Sequence, residues 1–349
     1  MKGSRGRGAG DNPANRYHAH AKQAFDDGWH QEPPVPLRTQ VAIDSTRKAI
    51  TYNQSPDIPF DRSINPYRGC EHGCIYCYAR PTHAWLDLSP GLDFESRLFA
   101  RPALPGLLKA ELAAPNYRAA PVALGAITDA YQPIERDWLI SRQVLEILAE
   151  MHHPTVIVTK SALVERDIDL LQDMAREQLV EVAVSLTTLQ RPLARALEPR
   201  AAAPQRRLQT VTRLSEAGVP VRAMIAPVVP VLTEPEIETL LQAAADAGAV
   251  TADYVLMRLP LEVSPLFRDW LEAHYPDSAA HVMNHVQALR GGRDNDSTFG
   301  RRLVGSGVYA DMIRQRFHLA RRKAGLDGAI ELRSDLFRAP RADGQLTLF

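Results

Sequence analysis

The stretch Asn65-Pro66-Tyr67-Arg68-Gly69-Cys70-Glu71-His72-Gly73-Cys74-Ile75-Tyr76-Cys77-Tyr78-Ala79-Arg80 decides the reading of this chain, because it holds every cysteine the protein has. Cys70, Cys74 and Cys77 are separated by three and then two residues, so one compact loop can aim three sulfurs at a common point. Thiolates suit soft centres such as zinc or an iron-sulfur cluster. Gly69 and Gly73 permit the backbone angles of a wrapping loop, and N-H groups there can donate to sulfur. Three sulfurs are one short of a closed site. In a cubane of four irons, one iron would lack a protein ligand and stand open to a small molecule. Structural zinc completed by His72 or His83 is the other centre these residues allow. A disulfide fits poorly, since the cysteines are odd in number, clustered, and part of a large chain without secretory features.

The loop carries an aromatic, Tyr76, just before its last cysteine, and in this it resembles the cluster loop of the radical S-adenosylmethionine (SAM) superfamily. The longer string from Asn65 to Arg80 is similar to the branch that contains spore photoproduct lyase, a DNA repair enzyme. The resemblance implies a partial (β/α) barrel and two cofactors, a 4Fe-4S cluster and SAM. In that family the amino and carboxylate groups of SAM chelate the open iron, and one electron from the cluster cleaves SAM to a 5'-deoxyadenosyl radical.

Working outward, composition sets the frame. A chain of 349 residues with 45% hydrophobic and 23% charged residues can bury a large core as an ordinary soluble protein. Formal net charge is zero, so no global basic field announces nucleic acid. The apolar run Val219 to Leu232 is broken by Arg222, Pro227 and Pro230, and none reaches the roughly 18 residues of a membrane span. The N-terminus lacks the apolar core of a signal peptide. These features place the protein in the cytoplasm, without membrane contact.

Residues 1–40 are rich in Gly, Asn, His, Pro and charge and read as a disordered segment, part of which can drape over the core. Its basic cluster Lys2, Arg5, Arg7 reads as a solvated tail that could touch phosphate. Residues 41–260 read as the barrel. Strands are expected at Val122 to Thr128, Thr155 to Thr159, Val180 to Leu186, Val219 to Ala226 and Asp253 to Arg258, each dense in apolar or β-branched residues, while Glu95 to Ala100 is ambiguous. Helical patterns alternate with them at Ile134 to Met151, Val164 to Glu177, Gln205 to Ala217 and Glu234 to Ala247. Gly218 and Gly248 stand where they can close helices, and Thr233 with Glu236 reads as a capping box. Strand-helix repetition of this kind predicts an α/β fold with a parallel sheet.

Residues 261–338 change to helices alone, at Pro265 to Ala273, Ser278 to Arg290 and Val308 to Ala324, a C-terminal helical extension. The turn-rich loop Gly291 to Gly300 joins the last two as a candidate cap on the substrate side. The region is basic, with Arg290, Arg293, Arg301, Arg302, Arg314, Arg316, Arg321, Arg322 and Lys323, which suits either a phosphate backbone or a solvated helix face. Residues 339–349 form a flexible tail.

Parallel barrels do chemistry at the C-terminal ends of their strands. Those ends offer Thr128 with Asp129, Lys160 with Ser161, Ser185 with Thr187 and Thr188, then Pro227 and Arg258. Hydroxyls for the ribose and amine and a cation for the carboxylate are what a zwitterionic nucleoside requires. By resemblance to the spore photoproduct lyase branch, Thr128, Lys160 and Ser185 are the positions that would hold SAM, with Lys160 pairing the SAM carboxylate. Asp129 and Tyr76 join them as cofactor-binding candidates. Tyr67, Tyr78 and Tyr131 are further aromatic neighbours. The usual Gly-Gly-Glu stretch of the superfamily is absent, and Thr128-Asp129-Ala130-Tyr131-Gln132 stands in its place. A second departure is chemical. Spore photoproduct lyase uses a cysteine outside the cluster loop as hydrogen donor, whereas here every cysteine is assigned and Ile127 precedes Thr128. No catalytic residue is assigned.

The chain ends Gln345-Leu346-Thr347-Leu348-Phe349 after a Pro- and Gly-containing tether. Large apolar residues on a tail need a receiver. The pentapeptide resembles the peptide by which bacterial polymerases and repair proteins dock on the replication sliding clamp, with Leu346, Leu348 and Phe349 in an apolar pocket and Gln345 fixing orientation. Packing on its own domain is the alternative. The sequence therefore predicts a radical SAM enzyme with an external electron donor, acting on DNA in repair or maintenance. A radical SAM enzyme for RNA, protein or a small molecule is the runner-up, and a non-catalytic metal-stabilised binding protein the reading from another class.

Overall fold

The computed structural model describes residues 6–18 and 37–340. Its strands are β1 (Gln40–Ile43), β2 (Ile50–Tyr52), β3 (Arg62–Ile64), β4 (Tyr67–Arg68), β5 (Arg97–Ala100), β6 (Val122–Leu124), β7 (Thr155–Thr159), β8 (Val180–Ser185), β9 (Val221–Val228) and β10 (Thr251–Leu256). The main sheet runs β2-β3-β6-β7-β8-β9-β10. From β3 to β10 every neighbour is parallel, and β2 adds antiparallel at one edge. With β2 and β10 as its edges the sheet is an open, partial (β/α) barrel, as the alternation of strands and helices predicts. β8 is buried at each of its positions, which is what a strand covered on both faces requires.

A second, smaller sheet has the order β1-β5-β4 and leads into the cysteine loop, since β4 ends just before Gly69. The ambiguous stretch Glu95 to Ala100 resolves into the end of a short helix, Leu92–Ser96, followed by β5.

Several local expectations are corrected, each because a side chain competes with the regular ladder. The strand expected to reach Thr128 stops at Leu124, because the Ile127 N-H donates to Asn65 Oδ1 at 2.9 Å and Thr128 Oγ1 donates to the Tyr67 carbonyl at 3.0 Å. The helix expected over 134–151 is two, Glu135–Trp138 and Ile140–Glu150, with Leu139 left-handed between them. The buried Glu135 carboxylate accepts the Ser141 and Arg142 N-H groups at 2.9 and 3.2 Å, so it starts the second helix. The capping box at Thr233 does not form. Glu236 instead accepts from Thr188 Oγ1, at 2.5 Å, and the Leu189 N-H, at 2.8 Å, while Thr233 Oγ1 accepts from the Val229 N-H at 2.8 Å.

The C-terminal helices Val263–His274, Pro276–Ala288 and Val308–Lys323 follow the expected pattern. A shared core that includes Ile75, Tyr76, Leu193, Leu197, Phe267, Trp270 and Val286 joins the first two of them to the cysteine loop. The basic cluster of this region is largely spent on the fold. Arg290 is fully buried and donates to the carbonyls of Leu256, Met257, Arg301 and Arg302. Arg302 pairs with Asp57 at 2.5 Å, Arg314 with Asp311 at 2.8 Å, and Arg316 with Glu238 at 2.9 Å.

Part of the segment read as disordered is ordered. Residues 6–18 form a strap along the cysteine loop, with Arg7, Ala9 and Asn15 buried. Lys2 and Arg5 lie outside the described residues, and so do Gln345, Leu346, Leu348 and Phe349 of the clamp-like tail. No helix among the described residues is long and apolar enough to cross a membrane.

Candidate cluster and cofactor site

The cysteine loop is built round a buried ion pair. Arg80, directly at the end of the signature stretch, has no exposed surface and donates to the carbonyls of Cys74, Gly73, Pro90 and Gly91 at 2.9 to 3.1 Å. Its remaining donor meets Glu95, also fully buried, at 2.5 Å. Glu95 accepts two more hydrogen bonds, from the Gly8 and Ala9 N-H groups at 2.9 and 2.8 Å, and so fastens the strap to the loop. Such a pair is tolerated in the interior because every donor has an acceptor. Gly73 has φ +68°, and a Cβ added there would lie 2.6 Å from Glu95 Oε2. One added to Gly8 would lie 1.8 Å from the Gly73 carbonyl, so strap and loop touch backbone to backbone.

The stretch that replaces Gly-Gly-Glu braces the same loop. Gln132 is fully buried, and its amide accepts from the Glu71 N-H at 2.9 Å and donates to the Gly69 carbonyl at 3.0 Å. Asp129 Oδ2 lies 3.2 Å from His72 Nδ1 and accepts the Lys160 N-H at 2.7 Å. Its other oxygen accepts Thr159 Oγ1 and the Tyr131 N-H at 2.8 and 2.9 Å. Burial alone would raise this carboxyl, but His72 and the two backbone donors outweigh it and hold Asp129 at about 2. Asp129 thus ties the cysteine loop to the end of β7 with both oxygens engaged by the protein.

Above these braces is a cavity of about 240 Å³ at the C-terminal ends of the strands. Cys70, Cys74 and Cys77 line it, together with Tyr76, Thr128, Asp129, Lys160 and Ser185, so the structure brings the three thiols and the five cofactor-binding candidates to one place, while Ser161, Thr187, Thr188, Tyr67 and Tyr131 are not part of its lining. Their roles divide. Thr128 spends its hydroxyl proton on the Tyr67 carbonyl and keeps lone pairs for a ligand. Tyr76 is buried and donates to Glu198, which also receives Thr187 Oγ1 at 2.6 Å and the buried Arg207 guanidinium. Burial opposes ionisation of Glu198, but Arg207 and then Lys160 pull it down to about 2. Lys160 reaches over the Tyr76 ring, with Nζ 5.9 Å from its centroid, and no carboxylate among the described residues lies within ion-pair distance of it. Ser185 and Arg258 complete the wall.

Glu95, Glu198 and Arg207 carry much of this architecture with no role foreseen in the sequence, and Gln132 stands out there only as part of the stretch in place of Gly-Gly-Glu. Their signal is weak, because a buried polar residue resembles a surface one until the fold is known.

The donor set fits an iron-sulfur cluster. The cysteines are free thiols. Burial, then the nearby Asp129 and the neighbouring thiols, raises Cys70 well above the ordinary range, and burial with the Glu198 charge pushes Cys74 up to about 12. Buried thiols such as Cys70 and Cys74, which resist ionisation on their own, are stabilised as thiolates by a cationic centre. The zinc alternative is less well served. His72 Nδ1 faces Asp129, His83 Nε2 lies 2.9 Å from the Arg97 carbonyl, and among the described residues no three Cys, His, Asp or Glu side chains gather closely enough for a single ion. The Gly73 N-H, expected as a donor to sulfur, donates to the Cys70 carbonyl at 3.3 Å and shapes the turn instead.

Comparison with known proteins agrees with this geometry. The family model described as Radical SAM superfamily matches residues 64–244. An uncharacterized protein of Mycobacterium tuberculosis is 36% identical over 222 residues, which cover 63% of this chain and 65% of the relative, so the chain spans less than two thirds of its length. An uncharacterized protein of Methanocaldococcus jannaschii is 28% identical over 227 residues, 65% of this chain and 81% of that protein. Among solved structures, spore photoproduct lyase complexed with dinucleoside spore photoproduct superposes with a TM-score of 0.56 at 15% identity, covering 80% of this chain and 77% of that one. A spore photoproduct lyase mutant with bound AdoMet and dinucleoside spore photoproduct gives 0.51 at 16% identity over 81% and 77%. At these identities the likeness is one of fold. The chain belongs to the radical SAM superfamily of enzymes, whose cofactors are a 4Fe-4S cluster and S-adenosylmethionine.

Proposed function

We propose that this enzyme acts on DNA, in repair or maintenance, by hydrogen abstraction. When bound, the cluster supplies the electron that cleaves SAM to a 5'-deoxyadenosyl radical. Cys70, Cys74 and Cys77 would hold three irons, Lys160 the SAM carboxylate, and Thr128 and Ser185 its hydroxyls and amine, with Tyr76 and the backbone braced by Asp129 shaping the adenosine side.

The observation that carries the DNA reading is the rim of the cavity. Tyr78 is 45% exposed, with the Arg258 guanidinium 4.6 Å from its ring centroid, and Ile127 stands exposed beside them. Arg302, placed 4.8 Å over the Phe299 ring, belongs to the loop that Arg290 pins to the end of β10. Arg302 is paired with Asp57, so the exposed Tyr78, Ile127 and Phe299 offer surface for bases beside one guanidinium, that of Arg258, for phosphate, the chemistry of a nucleic-acid contact. The fold shared with a DNA lesion enzyme supports the same substrate class. Because the chain has no cysteine beyond the three ligands, a thiol of this chain cannot return hydrogen to product, and reversal of a thymine photoproduct by that route is not part of the proposal.

The enzyme would work in the cytoplasm with an external electron donor, and its C-terminal residues Gln345, Leu346, Leu348 and Phe349 would deliver it to a bacterial sliding clamp. The test is anaerobic. Reduced, cluster-loaded protein with SAM is given undamaged or ultraviolet-damaged DNA, and 5'-deoxyadenosine is quantified. A rise with DNA supports the proposal, and yields independent of any DNA overturn it. Retention on purified clamp, lost in a chain ending before Gln345, tests the tail; no retention of the full chain retires it.

A further inference from the structure

The end of the sheet opposite the SAM cavity carries another concave site, a cavity of about 560 Å³ lined by Arg47, Lys48, Tyr52, Arg62, Tyr117 and Arg118. Tyr52 pairs with Arg62 of β3, and Arg62 with Val122, the first residue of β6, so the site lies at the N-terminal ends of these parallel strands. The SAM cavity lies at the other ends. The 5 residues of β7 set the two apart by roughly 15 Å, at about 3.3 Å per residue.

Arg62 is the floor of the site. It is buried, donates to the Arg118 carbonyl at 2.6 Å and to the Tyr117 hydroxyl at 3.3 Å, and meets Asp61 at 2.6 and 3.0 Å. Its guanidinium carbon lies 5.3 Å from the centroid of the Tyr52 ring and 5.6 Å from that of Tyr117, so one buried cation holds two aromatic rings. Tyr117 is fixed from behind by His153, 2.7 Å from its hydroxyl, and by the Phe337 ring. Tyr52 is 59% exposed. A ring positioned by a buried guanidinium and left largely to solvent is a platform on which a flat ligand can stack.

Cations surround this platform. Arg47, Lys48 and Arg118 are exposed, and none has a carboxylate within ion-pair distance among the described residues. Glu111, the carboxylate in the lining, is engaged by the backbone that enters β2, accepting the Ala49 and Ile50 N-H groups at 2.7 and 3.1 Å.

We propose that this site binds a single strand of DNA, with a base stacked on Tyr52 and neighbouring phosphates on Arg47, Lys48 and Arg118. The inference extends the DNA reading of the cavity rim to a second contact and rests on that reading for the choice of polymer. Phosphate alone would need the cations but not the ring, whereas a nucleotide strand uses both. A duplex keeps its bases stacked within itself and is stiff over about 150 base pairs, so one that engages the cavity rim cannot fold round the sheet to its opposite end. A single strand can. The enzyme is therefore equipped for DNA that is partly unpaired, with the strand that leads away from the rim held at the far end of the sheet.

The test uses cluster-loaded, full-length wild type, Y52A and R47A/K48A/R118A under anaerobic conditions. Binding of fluorescein-labelled oligo-dT of twelve nucleotides is followed by anisotropy across a range of salt. Y52A should bind about 10-fold more weakly than wild type with the same salt dependence. The triple variant should bind at least about 10-fold more weakly at low salt, and its slope of log affinity against log salt should be shallower by about 2, for three phosphate contacts at about 0.7 each. The 5'-deoxyadenosine formed from SAM with dithionite and no DNA should be equal in all three proteins. Undiminished binding by either variant would overturn the site, and loss in the triple variant alone would leave only a polyanion surface, which overturns it as well. Tighter binding of oligo-rU of the same length would overturn the choice of DNA, and unequal SAM cleavage would overturn the separation of the two sites. If oligo-dT binding behaves as expected but no DNA raises the 5'-deoxyadenosine yield of wild type, the proposed activity on DNA fails and the strand site stands.

Discussion

Replacing Glu95 by alanine should unfasten the cysteine loop. The carboxylate accepts from Arg80 at 2.5 Å and from the Gly8 and Ala9 N-H groups at 2.9 and 2.8 Å, and neither Glu95 nor Arg80 touches solvent. Removing one member of a buried ion pair costs about 3–5 kcal/mol, because the other charge stays in the interior. Arg80 keeps its bonds to the Cys74, Gly73, Pro90 and Gly91 carbonyls, which holds the cost toward the lower part of that range. The Gly8 and Ala9 N-H groups would add about 1–3 kcal/mol each if they stayed buried, but the strap can swing into water and escape most of that. The expected total is roughly 4 kcal/mol, against a typical stability of about 5–15 kcal/mol for a whole domain. Urea unfolding of the metal-free protein measures it, and iron per chain after anaerobic reconstitution reports whether the loop still gathers its thiols. Both should fall, and protease should cut within residues 6–18 of the folded variant. N12A is the control, since it breaks only the exposed contacts of Asn12 with Asp93 at 3.0 and 2.9 Å and should cost under about 1 kcal/mol. If E95A also cost less than about 1 kcal/mol and bound iron fully, the buried pair would not be what organises the loop.

Lys160→Ala should weaken SAM binding by about 10- to 100-fold, the loss of a charged contact worth about 1.5–3 kcal/mol, while iron content is unchanged; equal affinity would remove the assignment. Asp129, held at about 2 against an ordinary value near ~3.9, contributes about 2.6 kcal/mol of stability that is present above pH ~4 and lost as pH falls toward ~2. Glu198, also near 2, acts in the same direction. Urea midpoints between pH 2 and 6 should therefore fall less steeply for D129N than for wild type, and parallel curves would contradict the bracing role.

The main sheet was legible because a parallel sheet imposes a pattern that sequence carries directly. β7 and β8 fall at Thr155–Thr159 and Val180–Ser185, close to the apolar runs, and the cysteine spacing marked the site. The misses share a cause. Gly125 to Thr128 reads as the end of a strand, yet Asn65 and Tyr67 draw its hydrogen bonds to the cysteine loop, and those partners lie some 60 residues away. Leu139 breaks a continuous helical pattern because Glu135 caps the helix that starts at Ile140. Gly6 to Asn15 looks like a polar tail, since its order depends on Glu95 and on Ala84 and Leu88 carbonyls that no local pattern reveals. Long-range polar contacts of this kind decide local structure without leaving a period.

The central claim is that three thiols leave one iron open for SAM. Low-temperature electron paramagnetic resonance on anaerobically reconstituted, reduced protein, recorded with and without SAM, tests it most directly. The account predicts the signal of a reduced 4Fe-4S cluster whose g-values shift when SAM is added, and its loss in a variant lacking Cys74. No cluster signal, or one that SAM leaves untouched, would contradict it.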